Sequence, residues 1–298
     1  MKTTLTIFTL VTLNSNLFAQ WQPDVSLYKT SEKYSAYSVS IATSGDVVHV
    51  VWSSGNSMLD AEMYYKRSTD GGLSWSSDTR LTNASNNLAK PIMSVSGQII
   101  HVVWTDYRDR DNEIYYKSSS DGGITWGEDK RLTNSDGLSW YPSISVSGQD
   151  VHVVWEDTRD KGKRIYYKRS TDGGVTWEAD IRISSVDGTQ HPSVSVSAST
   201  VFVVWDDYRD KNHEIYYKRS TDDGSSWEED KRLTNNPLDQ WNPSVFVSDQ
   251  VVHVVWQDGR NFLSAAEIYY KGSTDGGITW GADTRLTKDA ELSGDQSE

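Results

Sequence analysis

The sequence predicts an all-β fold, a β-propeller of four-stranded blades, and three observations lead to it. An octet of the form Ser-x-Asp-x-Gly-x-Thr/Ser-Trp occurs five times. Its Asp stands at positions 70, 121, 172, 222 and 275, so the chain repeats every 50 to 53 residues. Each period holds four short β-rich segments between Gly, Asp and Asn turns. Such units arranged around an axis form a propeller, which leaves only short, protected strand edges.

The octet has the composition of a tight turn between two strands. Its Asp can accept bonds from nearby backbone N–H groups, and its Gly tolerates positive φ. Its Trp is predicted to begin the next strand and to bury a large apolar surface. We therefore assign the octets a structural role. The residues concerned are Ser68, Asp70, Gly72, Trp75, Ser119, Asp121, Gly123, Trp126, Ser170, Asp172, Gly174, Trp177, Ser220, Asp222, Gly224, Trp227, Ser273, Asp275, Gly277 and Trp280.

The third period illustrates the predicted strands, at Pro142–Ser147, Val151–Trp155, Arg164–Arg169 and Trp177–Ile183. Serines alternate with apolar residues on the first strand, as expected of a strand crowded near an axis. The second strand carries a histidine in four periods, but Phe202 replaces it in the fourth. A position that accepts Phe favours packing over catalysis or metal binding.

A sixth copy of the fourth-strand pattern, Trp-x-x-Asp-x-x-Leu, precedes the first period at Trp21, Asp24 and Leu27, whereas the other three strands occur five times. This count predicts a six-blade ring of which the chain holds five complete repeats and lacks most of the last blade. The alternative is a five-blade ring in which Trp21–Leu27 is an added edge strand.

The first residues have the features of an export signal. Lys2 precedes an apolar stretch from Leu5 to Leu13, and Leu17-Phe18-Ala19 suits a cleavage site. We predict a signal peptide at 1–19, a propeller at 20–287, and a tail or the start of a further blade at 288–298. The protein is accordingly predicted to be secreted or held at the cell surface.

Charge and composition limit the classes of partner that the protein can bind. The formal net charge is −13, or −14 without the predicted signal, which disfavours nucleic acid and anionic membranes. No other apolar run reaches the length of a membrane helix. The absence of cysteine excludes disulfides. We expect a monomer without a cofactor. Calcium is an exception that the carboxylates of Asp109 to Glu113 would allow, since they offer oxygen ligands, although their spacing is not repeated.

Candidate binding residues lie on the face opposite the octets, where a meander places its other loops. Four periods carry Trp-x-Asp-x-Arg there, and aromatic or His residues precede the prolines of several first strands. Rings stack on sugars, and Arg binds carboxylates bidentately. The Asp and Arg residues could instead form a ring of ion pairs between neighbouring blades. The candidates are Asp106, Arg108, Trp140, Tyr141, Asp157, Arg159, His191, Asp207, Arg209, Trp241, Asp258 and Arg260.

The octets, five times in register, resemble the Asp box of the sialidase-like, or BNR-repeat, β-propellers, and the resemblance covers Trp21 to Thr287. It implies a possible exo-sialidase, or neuraminidase, since sialidases of this fold release terminal sialic acid with a Tyr nucleophile, an Asp acid/base and three arginines. The family's Arg-Ile-Pro motif is absent. The matching places read Tyr37-Ser38-Val39, Lys90-Pro91-Ile92 and Tyr141-Pro142-Ser143. No catalytic residue is therefore carried over.

Three functions remain open from the sequence. A glycosidase needs different groups in different roles around one bond, whereas these periods are close copies of one another. This favours a glycan-binding or adhesion module that binds cell-surface glycoconjugates. An exo-sialidase is the alternative, and a protein-binding scaffold is the third.

Overall fold

A computed structural model describes residues 26–27, 35–57, 60–83, 89–260 and 266–287. Within these ranges twenty strands form five four-stranded antiparallel sheets, here called blades 1 to 5, and there is no α-helix. The strands are, blade by blade, β1 Ser35–Ser44, β2 Val47–Gly55, β3 Glu62–Ser68 and β4 Thr79–Arg80; β5 Ala89–Ser96, β6 Ile99–Asp106, β7 Glu113–Ser119 and β8 Lys130–Arg131; β9 Ser139–Ser147, β10 Asp150–Asp157, β11 Arg164–Ser170 and β12 Ile181–Arg182; β13 Thr189–Ser197, β14 Thr200–Asp207, β15 Glu214–Ser220 and β16 Lys231–Arg232; β17 Gln240–Ser248, β18 Val251–Asp258, β19 Glu267–Ser273 and β20 Thr284–Arg285.

Each blade is a meander in which neighbouring strands are consecutive in sequence, so the predicted all-β propeller fold is confirmed. In blade 3, Val153 of β10 is paired with Ile144 of β9 on one side and with Lys168 of β11 on the other. Because this register repeats, equivalent residues of every blade take equivalent places. The described residues contain no helix long and apolar enough to cross a membrane.

The fourth strand is shorter than predicted. The sequence predicts a strand over all of Trp177–Ile183, but only Ile181–Arg182 pair with β11. The chain before them is tied to β11 by one backbone bond, from Glu178 N to Arg169 O (3.0 Å). Trp177 instead turns towards the neighbouring blade, so side-chain packing replaces the ladder there.

The apolar core lies between successive blades. One cluster joins Val103 and Tyr116 of blade 2 to Ile144, Val153 and Trp155 of blade 3. The tryptophans of the second strands, Trp104, Trp155, Trp205 and Trp256, are among the largest fully buried side chains. Each blade therefore buries apolar side chains against its neighbour.

Serines connect the first strands, which are the innermost. Ser143 Oγ accepts a hydrogen bond from Val194 N in the next blade (3.1 Å), and Ser193 Oγ accepts one from Val245 N (3.2 Å). A small hydroxyl thus lets two strands approach closely and caps a backbone donor. This accounts for the alternation of serine with apolar residues.

The five described blades do not close on themselves. First strands of consecutive blades pack together from β1 to β17, but no packing of that extent joins β17 to β1 among the described strands. Ile41 of β1 is 65% exposed, although its counterparts Met93, Ile144 and Val245 are buried. At the other end Phe246 is 62% exposed. One sheet face therefore stays open at each end of the row.

Leu27 lies where a preceding blade would place its fourth strand. Its carbonyl accepts a hydrogen bond from Lys66 Nζ of β3 (2.8 Å). Equivalent lysines bind the fourth-strand carbonyl of the blade before their own, as Lys168 does with Leu132 (2.8 Å) and Lys218 does with Ile183 (2.9 Å). Trp21 and Asp24 lie outside the described residues, as do 1–19 and 288–298. The six-blade ring remains a prediction that this contact favours.

Candidate functional site

The octets form closed hydrogen-bonded turns. In blade 3, Ser170 Oγ donates to Asp172 Oδ1 (2.7 Å) and accepts from Gly174 N (2.9 Å). Asp172 also accepts bonds from the backbone N (2.8 Å) and the hydroxyl (2.6 Å) of Thr176. These bonds, those from Thr176 first, lower the pKa of Asp172 to about 2. The carboxylate thus forms its hydrogen bonds within its own loop.

The same turns fasten each blade to the one before it. A Cβ on Gly174 would lie 2.0 Å from the Tyr116 hydroxyl of blade 2, so only glycine allows this approach. The Trp177 ring meets Tyr116 edge-on, with centroids 5.0 Å apart. Equivalent ring pairs are Tyr65 with Trp126, Tyr167 with Trp227 and Tyr217 with Trp280.

The repeated histidines belong to this packing. His152 Nδ1 lies 2.8 Å from the Tyr167 hydroxyl, and His101 Nδ1 lies 2.8 Å from that of Tyr116. Both rings are fully buried. Burial lowers the pKa of each to about 4, which keeps them neutral at physiological pH. Phe202 stacks on Tyr217 in the same position.

The Trp-x-Asp-x-Arg residues form ion pairs within a blade. Buried Asp157 accepts bonds from Trp155 Nε1 (2.8 Å) and Arg159 (2.7 Å), and Arg159 also donates to Asp180 of the same blade (2.6 Å). Burial would lower the pKa of Arg159, but these two carboxylates raise it. The interpretation as pairs between neighbouring blades was wrong, because the partner stands just before the blade's own fourth strand. The other sets are Asp106, Arg108 and Asp129; Asp207, Arg209 and Asp230; and Asp258, Arg260 and Asp283.

The carboxylates of the acidic segment Asp109 to Glu113 also bind protein groups. Arg131 pairs with both Asp109 (3.1 Å) and Glu113, and the Tyr115 hydroxyl donates to Asp109. Across the part of the chain that the structure describes, no three His, Cys, Asp or Glu side chains are grouped as metal ligands.

A repeated bulge at the start of the first strand projects different side chains from blades 2 to 5. Pairing with the second strand shifts register beside each proline. The residue before the proline takes a positive φ of 50° to 52° at Lys90, Tyr141, His191 and Asn242. Left-handed backbone is rare for non-glycine residues and runs against the extended preference of residues before proline. Such strain clusters at functional sites.

These four residues surround one pocket, here called the axial pocket. Its volume is about 330 Å³, and residues from the first strands of blades 2, 3, 4 and 5 line it. It opens on the face opposite the octets, because the octet loops bond to the turns at the far ends of the first strands, as Gly173 N does to Gln149 O (2.9 Å). Lys90 Nζ lies 3.8 Å from the centre of the Tyr141 ring, and that ring meets His191 edge-on at 5.0 Å.

Two buried carboxylates, each at the x position of Trp-x-Asp, interact with residues of the axial pocket: Asp206 is hydrogen-bonded to His191, and Glu156 interacts electrostatically with Lys90. Glu156 pairs with Lys163 (2.9 Å), but burial outweighs this partner and raises the pKa of Glu156. Burial would also raise the pKa of Asp206. Hydrogen bonds with His191 (2.8 Å) and His213 (3.1 Å) overcome that effect and lower it.

Of the predicted binding residues, the structure brings Tyr141 and His191 to the axial pocket. Trp140 and Trp241 are half-buried and do not line it. The Asp–Arg pairs form separate clusters, one in each of four blades. Sequence reasoning missed Lys90, Asn242, Glu156 and Asp206. The available signal was variation between otherwise similar repeats: the place before proline reads Ser38, Lys90, Tyr141, His191, Asn242, and the place after Trp reads Ser53, Thr105, Glu156, Asp206, Gln257.

Repeated Asp boxes on four-stranded blades, with one asymmetric pocket on the innermost strands, define an Asp-box β-propeller. The chain belongs to the BNR repeat-like domain family, whose model matches residues 19–204. No curated protein matches it in sequence.

Solved structures share the fold at low identity. The chain is similar to Trypanosoma rangeli sialidase in complex with 2,3-difluorosialic acid (17% identity, TM-score 0.58, 84% of this chain and 51% of that one). It is also similar to the Hadza microbial sialidase Hz136 (15%, 0.60, 87% and 60%) and to an α-L-arabinofuranosidase from Fusarium graminearum (15%, 0.58, 84% and 80%). The chain thus spans little more than half the length of these sialidases, and the likeness shows the fold alone.

Proposed function

We propose that this protein is a secreted carbohydrate-binding propeller that takes an acidic sugar in its axial pocket. One observation carries the proposal. Four repeat-equivalent positions, each held in a strained backbone conformation, bring four different side chains to one pocket. A purely structural bulge would need no such variety. Adhesion to cell-surface glycans follows as the wider role.

The chemistry of the pocket suits a sugar that carries a carboxylate. The Tyr141 ring offers a surface for stacking, and the Asn242 amide can donate to and accept from hydroxyl groups. Lys90 supplies a cation, and His191 supplies a ring nitrogen. Lys163 pairs with the buried Glu156, and the two histidines hydrogen-bond to the buried Asp206. An anionic group can therefore bind at Lys90 despite the net charge of −13.

Isothermal titration calorimetry with N-acetylneuraminic acid, glucuronic acid and galactose tests the proposal. We expect binding of an acidic sugar and not of galactose, and a loss of at least tenfold in Lys90→Ala and in His191→Ala. Lys161→Asn is the matched control, since it removes an exposed cation from a loop on the same face. Equal affinities for the two pocket variants, the control and the unaltered protein would contradict the proposal.

A glycoside hydrolase, with exo-sialidase first, is the second candidate. Glu156 and Asp206 are two buried carboxylates whose environments move their pKa values in opposite directions, as an acid and a charge-stabilising partner require. The sialidases and the arabinofuranosidase named above show that this fold carries more than one glycosidase chemistry. The missing Arg-Ile-Pro motif argues against a sialidase of the usual kind.

Fluorogenic α-sialoside and α-L-arabinofuranoside substrates test the second candidate. Turnover that Glu156→Gln and Asp206→Asn each abolish, while both variants keep their melting temperature, would support it. Binding of an acidic sugar without turnover of either substrate would support the carbohydrate-binding function and contradict the hydrolase.

A further inference from the structure

We propose that the axial pocket continues outward into a second sugar subsite at Tyr208 and His213, so that the ligand is an acidic oligosaccharide of at least two units. This inference rests on the proposed function and deepens it. Both residues belong to the loop between β14 and β15 of blade 4, on the same face as the pocket.

A continuous row of side chains leads from the pocket to this loop. Tyr141 meets His191 at 5.0 Å between ring centres. His191 Nδ1 lies 2.8 Å from one oxygen of Asp206, and His213 Nδ1 lies 3.1 Å from the other. The His213 ring then lies 5.1 Å from the Tyr208 ring. A single buried carboxylate thus orients two histidines, one at the pocket and one outside it.

Tyr208 has the properties of a stacking platform. Its side chain is 53% exposed, although its ring rests at 56° against His213. Gly188 lies next to it, since a Cβ built on Gly188 would come within ordinary van der Waals contact of the Tyr208 Cβ, at 3.5 Å. A ring fixed at one edge and open on a broad side can stack on the apolar face of a sugar at little entropic cost.

The polar groups along the row suit the hydroxyls of a sugar chain. The hydrogen bond to Asp206 raises the pKa of His213 against the opposing effect of burial. His191 and His213 each use Nδ1 on Asp206, which leaves Nε2 for a ligand. The ring centres of Tyr141 and His191 lie 5.0 Å apart and those of Tyr208 and His213 lie 5.1 Å apart, which is comparable with the length of one sugar unit. A linear oligosaccharide can therefore follow the row.

Blade 2 provides a matched comparison. Tyr107 occupies the same loop position as Tyr208 and is 42% exposed, but Asn112 stands where blade 4 has His213, and Thr105 stands where it has Asp206. An exposed tyrosine alone is thus present in both blades, and the linked histidine pair only in blade 4. The comparison separates a general effect of surface tyrosines from a subsite.

Calorimetry with short and long ligands tests the subsite, using N-acetylneuraminic acid against 3′-sialyllactose, and galacturonic acid against trigalacturonic acid. We expect at least one trisaccharide to bind tenfold or more tightly than its acidic monosaccharide. Tyr208→Ala should abolish this gain and leave the monosaccharide affinity unchanged. Tyr208→Phe should keep the gain, and Tyr107→Ala should behave like the unaltered protein.

Failure of the subsite and failure of the proposed function give different results. Equal affinity for short and long ligands, or a gain that survives Tyr208→Ala, overturns the subsite while the pocket still binds the monosaccharide. Absence of binding at both lengths overturns the proposed function and the subsite with it. Equal melting temperatures of Tyr208→Ala and Tyr107→Ala would establish that the comparison concerns folded protein.

Discussion

At the scale of single residues, the histidines of the second strands link stability to pH. His101 and His152 are buried as neutral rings, and burial lowers their pKa to about 4. In the unfolded chain the pKa returns to about 6.5. Their contribution to stability is therefore complete above pH 6.5 and is lost as the pH falls from there towards 4.

We expect His152→Phe to make the protein less sensitive to acid, because Phe202 already occupies the equivalent place in blade 4. At pH 7.5 the variant should lose only about 1 kcal/mol, the value of one hydrogen bond to Tyr167. Between pH 7.5 and pH 5 it should lose about 1 to 2 kcal/mol less than the unaltered protein. Urea denaturation at both pH values measures this, and an unchanged pH dependence would contradict the assignment.

At the scale of the structural element, the octet loop holds two blades together by packing against the blade before its own. Gly174 has a φ of +84° and touches Tyr116, whereas Gly148, in the turn between β9 and β10, has a φ of +61° and open space around it. Gly148→Ala should cost about 1 kcal/mol for the left-handed backbone alone. Gly174→Ala should cost a further 1 to 3 kcal/mol, roughly, because Tyr116 must move. Equal losses on denaturation would show that the contact between blades is unimportant.

The Asp–Arg pairs at the ends of the second strands lead to a second prediction at this scale. Arg159→Ala leaves the Asp157 carboxylate buried, and we expect a loss of about 3 kcal/mol. Arg182→Ala is the control, since Arg182 is 51% exposed and its bridge to Asp160 should be worth less than about 1 kcal/mol. If Arg159→Ala were as mild as Arg182→Ala while sugar affinity fell, the predicted binding role of these arginines would gain support.

At the scale of the whole molecule, the exposed outer faces of blades 1 and 5 favour the predicted six-blade ring over a closed five-blade ring. Leu27 already lies beside blade 1 in the place of a fourth strand. Because the sequence contains no cysteine, spin labels can be attached to introduced cysteines alone. We expect a longer distance between labels at Ser44 and Ser248 than between labels at Ser96 and Ser147, which mark adjacent blades. Equal distances would indicate a closed five-blade ring.

How far the sequence predicts this molecule depends on whether a feature repeats. The octets, the register of the meander and the packing histidines recur with the period, so one copy explains the others. The pocket does not recur, because Lys90, Tyr141, His191 and Asn242 differ in chemistry while sharing a position. Their left-handed backbone also contradicts the ordinary preference before proline, so no local rule predicts it. Likewise, spacing alone does not reveal that Arg159 reaches Asp180 within its own blade.

The most direct test of the axial pocket as the binding site is hydrogen exchange with and without a saturating acidic sugar. The account predicts slower amide exchange in peptides that contain Lys90, Tyr141, His191 and Asn242, together with the loop at Tyr208. The octet loops on the opposite face should exchange at an unchanged rate. Protection confined to the octet loops, or no protection at the four first strands with any acidic sugar, would contradict it.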